Sequence, residues 1–323
     1  MSMTIVETTT LESRAGVWKR ALRSGRVLTG GGVLAVIVLA CVGSLPATTA
    51  ATTNNGKGGD FYFDNQHSEL AEARPQTAPA WMWFGSTKLG QSLLGRCLLG
   101  GALSLAVGLT ASAVAVVLGV TVGAVSGYMG GWVDGLLMRT VDVLYGLPYI
   151  LMVILFKLGL ERPLGSLLHA PRLANVVVLF LAIGLASWLT MARVIRGQVL
   201  SLRSQPFMEA TRSIGTGPWR VFTRHLLPNL IGPITVYATL TVPEAILQES
   251  LLSFLGVGIQ PPLPTWGSLA SEGLIAALNP VDSRWWLLVF PCTLLAVTLL
   301  ALNFVGDGLR DILDPRSQRS GRS

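Results

Sequence analysis

The sequence predicts an all-α integral membrane protein with six transmembrane helices and both termini in the cytoplasm. Three observations carry that prediction. Over 323 residues, 51% are hydrophobic and only 13% are charged, a balance far from that of ordinary soluble domains. Uncharged windows recur along the chain, and several reach the roughly 20 apolar residues that cross a hydrocarbon core. With both termini inside, 16 of the 24 lysines and arginines fall on the cytoplasmic side. This positive-inside bias accounts for the net charge of +7 without any nucleic-acid partner.

Residues 1–26 form a basic cytoplasmic segment. In its string RAGVWKRALRSGR, Trp18 and Leu22 share one helical face with Lys19, Arg20 and Arg23 around it, so the segment is expected to lie on the inner leaflet. The first span is 27–47. Its basic leader and the string VLAC, ending at Cys41, also resemble a signal sequence with a lipidation site. The leader is long, however, and five spans follow, which favours an uncleaved helix. Residues 48–97 are rich in Thr, Ala, Asn and Gly, with turn strings such as NNGKGG, and are expected to be a solvated external polar loop.

A helical core then runs over 98–309. Its first helix, the second span at 98–127, carries Ala111, Ala115, Gly119, Gly123 and Gly127 at every fourth position, a smooth stripe along which another helix can approach closely. The third span, 136–157, begins with Arg139 three residues before Asp142, read as a local ion pair or a snorkelling pair. The fourth span, 174–194, leads into a cytoplasmic loop at 195–227, and the fifth span is 228–248. The uncharged window 250–271 is broken by Gly256, Gly258, Pro261, Pro262 and Pro264, so it reads as a loop with a short helix at the membrane surface. The sixth span, 285–306, precedes a cytoplasmic tail at 310–323. No repeat of long period is visible.

The chemistry that is missing narrows the function. His67, His169 and His225 form no metal-binding pair, Cys41, Cys97 and Cys292 have no ligand spacing, and none of the four lysines lies in a phosphate-binding loop. No catalytic residue, metal or cofactor is expected. Acidic groups fall toward span ends, unlike those of a proton-coupled carrier. Glu244, 16 residues beyond Pro228, should stand about 24 Å along its helix and approach the outer interface, with Glu249 farther out.

The loop at 195–227 contains the string MEATRSIGTGPWRVFTRHLLPNL. Phe207, Thr211 and Ile214 recur at i, i+4 and i+7 with Met208 beside them, while Glu209, Arg212 and Ser213 look elsewhere. That is a short amphipathic helix. Gly215 permits a break, and Pro218 suits the first turn of a second short helix running to Pro228. Helices this short are marginal alone, so an exposed apolar face here implies a partner surface.

These residues carry a resemblance. Glu209, Ala210, Gly215, His225, Leu226, Leu227 and Pro228 resemble the EAA loop of ABC-importer permeases, with Thr211 in place of the second alanine. ESLLSFLGVGIQPPLPTWGSL, NFVGDGLRDILDPR and GYMGGWVDGLLMRTVDVLYGLP are similar to stretches of the dipeptide, oligopeptide and nickel permeases, in the second (C-type) of their two membrane subunits. The resemblance covers about 84–316. It departs at FGSTKLGQSLLGR, which keeps Gly85, Gly90 and Arg96 but has Thr87, Gln91 and Ser92 at positions usually charged.

The resemblance implies a MetI-like ABC-importer permease fold in the cell inner (cytoplasmic) membrane, a lipid-embedded multi-pass subunit that is not itself an enzyme. Its implied partners are a homologous second permease, two ATP-binding subunits that hydrolyse ATP, and an extracytoplasmic solute-binding protein. The implied ATPase-coupling residues are Phe207, Met208, Glu209, Ala210, Thr211, Gly215, His225, Leu227 and Pro228. For the outer mouth, Glu249, Gln260, Pro261, Pro262 and Trp266 are the expected residues, with Trp266 also suited to an interfacial anchor. The implied cargo is di- and oligopeptides, with nickel chelates or other small solutes as the alternative. A homo-oligomeric channel would be a different class and would need no ATPase; a membrane enzyme would need a cluster of acidic and His side chains facing one cavity.

Overall fold

The computed structural model describes residues 24–49, 59–213, 215–280 and 282–313. The basic segment around Trp18 and the tail from residue 314 lie outside them. Among the described residues the regular structure is helical, with turns and loops between the helices and one isolated bridge between Ser86 and Ser92. The helices are α1 Gly25–Gly43, α2 Leu45–Thr49, α3 Leu93–Met129, α4 Gly131–Tyr145, α5 Tyr149–Leu168, α6 Pro171–Arg203, α7 Pro206–Ser213, α8 Pro218–Val221, α9 Leu227–Phe254, α10 Trp266–Ala277 and α11 Trp286–Leu313.

Five helical stretches are long and apolar enough to cross a membrane, and the pair α4 and α5 makes a sixth if it is counted as one span. That pair corrects the expected straight helix at 136–157. The two helices meet at an angle of 104° across Gly146, Leu147 and Pro148. Proline disfavours helical backbone at the residue before it and brings no amide hydrogen of its own. Pro148 stands outside the helical region, at φ −55° and ψ 131°, and α5 starts at the next residue.

The centre of the bundle is the pair α3 and α6. Ala111, Ala115, Gly119, Gly123 and Gly127 are all buried. A methyl group at Gly119 would lie 2.5 Å from the Met191 Cβ, and one at Gly127 would lie 2.9 Å from the Val199 Cβ. At Gly123 it would collide with the Ala192 carbonyl oxygen, while Gly184 on α6 sits under Val114 of α3. Small residues thus bring two long helices to backbone contact, the packing that replaces the hydrophobic effect in lipid. Helix α9 packs across α3 through Leu105, Val242 and Ile246. At the bundle's edge, Gly30 of α1 lies against the Ala301 carbonyl of α11.

The segment from residue 59 to 92 is not the solvated loop expected from its composition. Trp81 and Met82 are buried, His67 stacks on Trp81 with ring centres 5.1 Å apart, and Phe84 stacks on Phe290 of α11 at 4.1 Å. Ser86 accepts from the Ala73 amide at 2.8 Å and donates to the Leu70 carbonyl. Gly90, at φ +71°, turns the chain against the backbone of His67 where no side chain fits. A few large aromatic anchors hold a polar segment that lacks the periodicity by which a core element is read.

The window 250–271 is also corrected. Helix α9 continues to Phe254, and α10 is a packed helix opened by a capping box in which Thr265 and Ser268 exchange side-chain and backbone hydrogen bonds. Trp266 is fully buried beside Ile37 and Cys41 of α1, and its indole donates to the Cys97 carbonyl at 3.0 Å. It is therefore no interfacial anchor. Cys41 is likewise enclosed between helices.

The α3–α6 contact yields a direct prediction. Gly123→Leu should lower the thermal midpoint of the detergent-solubilised protein, because overpacking costs about 1–3 kcal/mol or more. Gly135→Ala, where nothing lies within 4 Å, should leave the midpoint unchanged or slightly higher.

Candidate functional site

The inner loop is built from α6 downward. After Arg203 the chain turns at Ser204 and Gln205 and enters α7. Met208 and Thr211 of α7 are buried, Met208 within a cluster formed by Met191, Ile195, Val199, Val221, Leu226 and Leu230. The apolar face expected to meet a partner therefore roots the helix in its own chain, and it is centred on Met208 rather than Phe207. What α7 presents outward is Phe207, at 37% exposure, together with Glu209 and Ser213. Ile214 lies outside the described residues.

Gly215 has φ +72° and no atom near its missing side chain, so backbone conformation and not space requires glycine there. Beyond it the chain is helical without interruption from Trp219 to Phe254. The expected second short helix is thus the lower end of the fifth span itself. A π-helical stretch, Phe222–Leu226, joins α8 to α9 immediately before Leu227 and Pro228. Proline cannot donate in the helical ladder, and a widened turn is one way to pass it. Leu226 is buried, His225 and Leu227 are half-buried and Pro228 is exposed. Trp219, at 76% exposure, stands beside Phe222 on the outer surface of this loop.

Charged groups fix the helices above the loop. Asp134 of α4 makes a bidentate pair with Arg196 of α6 at 2.6 Å for both contacts and also accepts from Ser126 of α3. Asp142 pairs with Arg193 at 2.7 Å, and the Arg193 guanidinium lies 3.9 Å from the centre of the Tyr145 ring. Arg139 is not the partner of Asp142, which corrects the local pairing expected from sequence. Arg203 donates to the Gly127 carbonyl at 2.9 Å. The carboxylate partners of Arg193 and Arg196 lie more than fifty residues away in sequence, so local spacing does not reveal them.

On the opposite face, a cavity of about 610 Å³ lies between the 59–92 segment and α10. Arg96, its side chain 7% exposed, holds Glu272 through contacts of 2.7 and 3.2 Å. Gln91 donates to Asp64 at 2.9 Å, Thr87 donates to Gln91 at 3.2 Å, and Ser92 caps α3 by accepting from the Gly95 amide. The three positions that lack the usual charges are thus engaged in hydrogen bonds, and Asp64 supplies a carboxylate to Gln91 from a different segment. Pro261 and Pro262 border this cavity, and Gln260 borders a smaller one of about 180 Å³. Glu249 does not reach either: it is buried and accepts from Ser253 at 2.6 Å and Ser104 at 3.2 Å.

A third cavity, of about 530 Å³, opens at the α4–α5 break between α6 and α9. Its lining includes Tyr145, Tyr149, Ser187, Thr190, Tyr237 and Glu244. Glu244 thus shares its cavity with Ser187 and Thr190, near the middle of α6. Among the described residues no group of three or more His, Cys, Asp or Glu side chains is placed to hold a metal ion.

Comparison with known proteins gives a consistent result. Residues 119–319 match the family described as binding-protein-dependent transport system inner membrane component. The chain is 44% identical over 258 residues to the oligopeptide transport system permease protein OppC of Escherichia coli (strain K12), covering 80% of each chain. It is 42% identical over 237 residues to the dipeptide transport system permease protein DppC of Bacillus subtilis (strain 168), covering 73% of this chain and 69% of that one. A chain of the MetNI methionine ABC transporter, solved in an inward-facing conformation, superposes with a TM-score of 0.53 at 16% identity. That match covers 68% of this chain and 96% of the other, and it concerns the fold.

The ion pairs differ in expected weight. Glu272→Ala leaves the Arg96 guanidinium buried without its carboxylate, so unfolding in detergent should occur with a loss of about 2–4 kcal/mol. Arg26→Ala breaks a pair whose side chains are 65% and 64% exposed, and the change should stay within about 0.5 kcal/mol.

Proposed function

Because the chain belongs to the family of binding-protein-dependent transport system inner membrane components, we infer that it is the membrane-spanning permease subunit of an ATP-driven importer of di- and oligopeptides. The peptide cargo is supported by relatives named for oligopeptide and dipeptide transport at 44% and 42% identity. ATP hydrolysis belongs to two partner subunits on the cytoplasmic side. A homologous second permease completes the path, and an extracytoplasmic binding protein delivers the solute. Both termini face the cytoplasm in this arrangement, which the distribution of basic residues supports.

One observation carries the mechanism. The inner loop is rooted by Met208 and Leu226 yet presents Phe207, Glu209 and Trp219 outward. That is the form of a docking element: a fixed base with an aromatic and charged outer surface. Glu209 offers a carboxylate to a basic group of the ATPase, while Phe207 and Trp219 offer the aromatic anchors typical of interface hot spots. Ala210, Thr211, Gly215, His225, Leu227 and Pro228 shape the turn that carries them. Closure of the ATPase pair around ATP displaces α7 and the lower end of the helix from Trp219 to Phe254, and alternating access follows as a rigid-body change. The stripe from Ala111 to Gly127 supplies the contact about which α3 and α6 stay together.

At the outer mouth, Gln260, Pro261 and Pro262 form the rim. Glu249 and Trp266 act behind it, fixing α10 and the Pro-rich loop to α3 and α9.

Purification of the tagged chain in mild detergent, with ATP hydrolysis and peptide uptake measured after reconstitution, tests this reading. The native chain should bring down a second permease and the ATP-binding subunits. Glu209→Lys and Trp219→Ala should each reduce peptide-dependent uptake by about tenfold or more, the scale of losing an interface hot spot. Recovery of a homo-oligomer without any ATPase would sink the importer reading in favour of a channel.

A further inference from the structure

The cavity at the α4–α5 break has features that the docking loop does not explain. Along α9, Tyr237, Thr241, Glu244 and Gln248 all line it, and they follow one another at i, i+4, i+7 and i+11. They form a polar stripe along one face of the helix. The opposite side of the same turns, Val236, Val242, Ala245 and Ile246, is buried. From α6 the cavity receives Ser187 and Thr190, and from either side of the break it receives Tyr145 and Tyr149.

Three observations make this a site and not a packing gap. Broken backbone within the depth of a membrane is tolerated where it is buried in protein or lines a watery cavity, and here Leu147 of the break is itself a lining residue. The Glu244 carboxylate takes part in no salt bridge among the described residues, whereas Asp134, Asp142 and Glu272 each hold an arginine. The Glu244 side chain is exposed on the open side of the cavity, and an ionisable group within a membrane-spanning helix points to a solute path. The volume, about 530 Å³, lies within the 300–1,000 Å³ common for small-ligand sites.

We propose that this cavity is a mid-span solute site, and that the Glu244 carboxylate makes it charge-selective in favour of solutes bearing a cationic amine, such as a peptide's amino terminus or a basic side chain. The hydroxyls of Tyr149, Thr190, Tyr237 and Thr241 and the amide of Gln248 complement it as neutral hydrogen-bonding groups that suit peptide amides without demanding one sequence. The proposal rests on the importer reading and adds to it the group that discriminates charge inside the permease. Selection here is distinct from selection by the binding protein, because it acts on solute already delivered.

The test uses the complete importer with its binding protein in liposomes, and two alanine tripeptides with lysine or with glutamate at the centre. The measured quantity is the ratio of their initial uptake rates, in which delivery by the unchanged binding protein cancels between native and variant. Glu244→Gln should reduce the lysine-to-glutamate ratio about fivefold, and Glu244→Lys should reduce it further, as expected for removing and then reversing one charge beside the solute. Gln248→Glu, which adds a carboxylate one turn along, should raise the ratio and supplies a reading should the Glu244 variants fail to assemble. An unchanged ratio in every variant that takes up peptide overturns the proposal and leaves the importer reading intact. Uptake of neither peptide by the native importer overturns the peptide reading and this inference with it.

Discussion

The backbone contact between α3 and α6 is the constraint on which the rest of the chain depends. In lipid there is no hydrophobic gain from bringing two apolar helices together, so the association must come from close packing and hydrogen bonding. Gly119, Gly123 and Gly127 remove the side chains that would hold α6 away, and Met191, Ala192 and Val199 fill the space. Once α6 is fixed along α3, its remaining surfaces are assigned: Ser187 and Thr190 look into the cavity at the helix break, and Arg193 and Arg196 meet α4. Its lower end delivers the chain to α7.

Charge is then distributed by a simple economy. Asp134, Asp142 and Glu272 are each matched with arginine, and Lys157 donates to the Val257 carbonyl at 2.7 Å. Buried Glu249 is held by serine hydroxyls. These arrangements satisfy polar groups in and beside the spans. They also join elements remote in sequence: Arg96 ties α3 to α10, and Asp134 ties α4 to both α3 and α6. A carboxylate left outside this pattern, as Glu244 is, stands out because its neighbours show how the chain treats the others.

Much of this was legible in the sequence, and the limits have physical causes. The apolar windows located the spans because a membrane demands length and uninterrupted hydrophobicity, and the four-residue spacing from Ala111 to Gly127 exposed the close face because helical periodicity is local. The inner loop was legible from the amphipathic spacing of Phe207 and Thr211 and from the resemblance to importer permeases, although the buried face centres on Met208. The partners of Asp142 and Asp134 were not, because pairing across more than fifty residues depends on how helices stack. The bend at Pro148 was underweighted against the apolar run that contains it. The segment from 59 to 92 was misread because its order rests on a few aromatic contacts, Trp81 with His67 and Phe84 with Phe290, that leave no periodic trace. Trp266 shows the same limit: indole in a Pro-rich stretch suggests an interface, yet its partner, the Cys97 carbonyl, lies 169 residues away.

The loop and the mid-span cavity are mechanically one system. Helix α6 lines the cavity at Ser187 and Thr190 and ends where α7 begins; α9 lines it at Tyr237, Thr241 and Glu244 and begins where the loop ends. The loop therefore joins the lower ends of two of the walls. A force applied at Phe207, Glu209 or Trp219 cannot move the loop without moving one wall relative to the other, because α7 is seated through Met208 on residues of both α6 and α9. Two places can absorb that displacement: the π-helical stretch Phe222–Leu226 below and the break at Gly146, Leu147 and Pro148 beside the cavity. Widened turns and helix breaks are where helices yield, while packed interfaces switch between discrete arrangements and do not deform smoothly. The glycine-lined contact of α3 with α6 is the closest-packed helix pair of the bundle and joins both features to one rigid element.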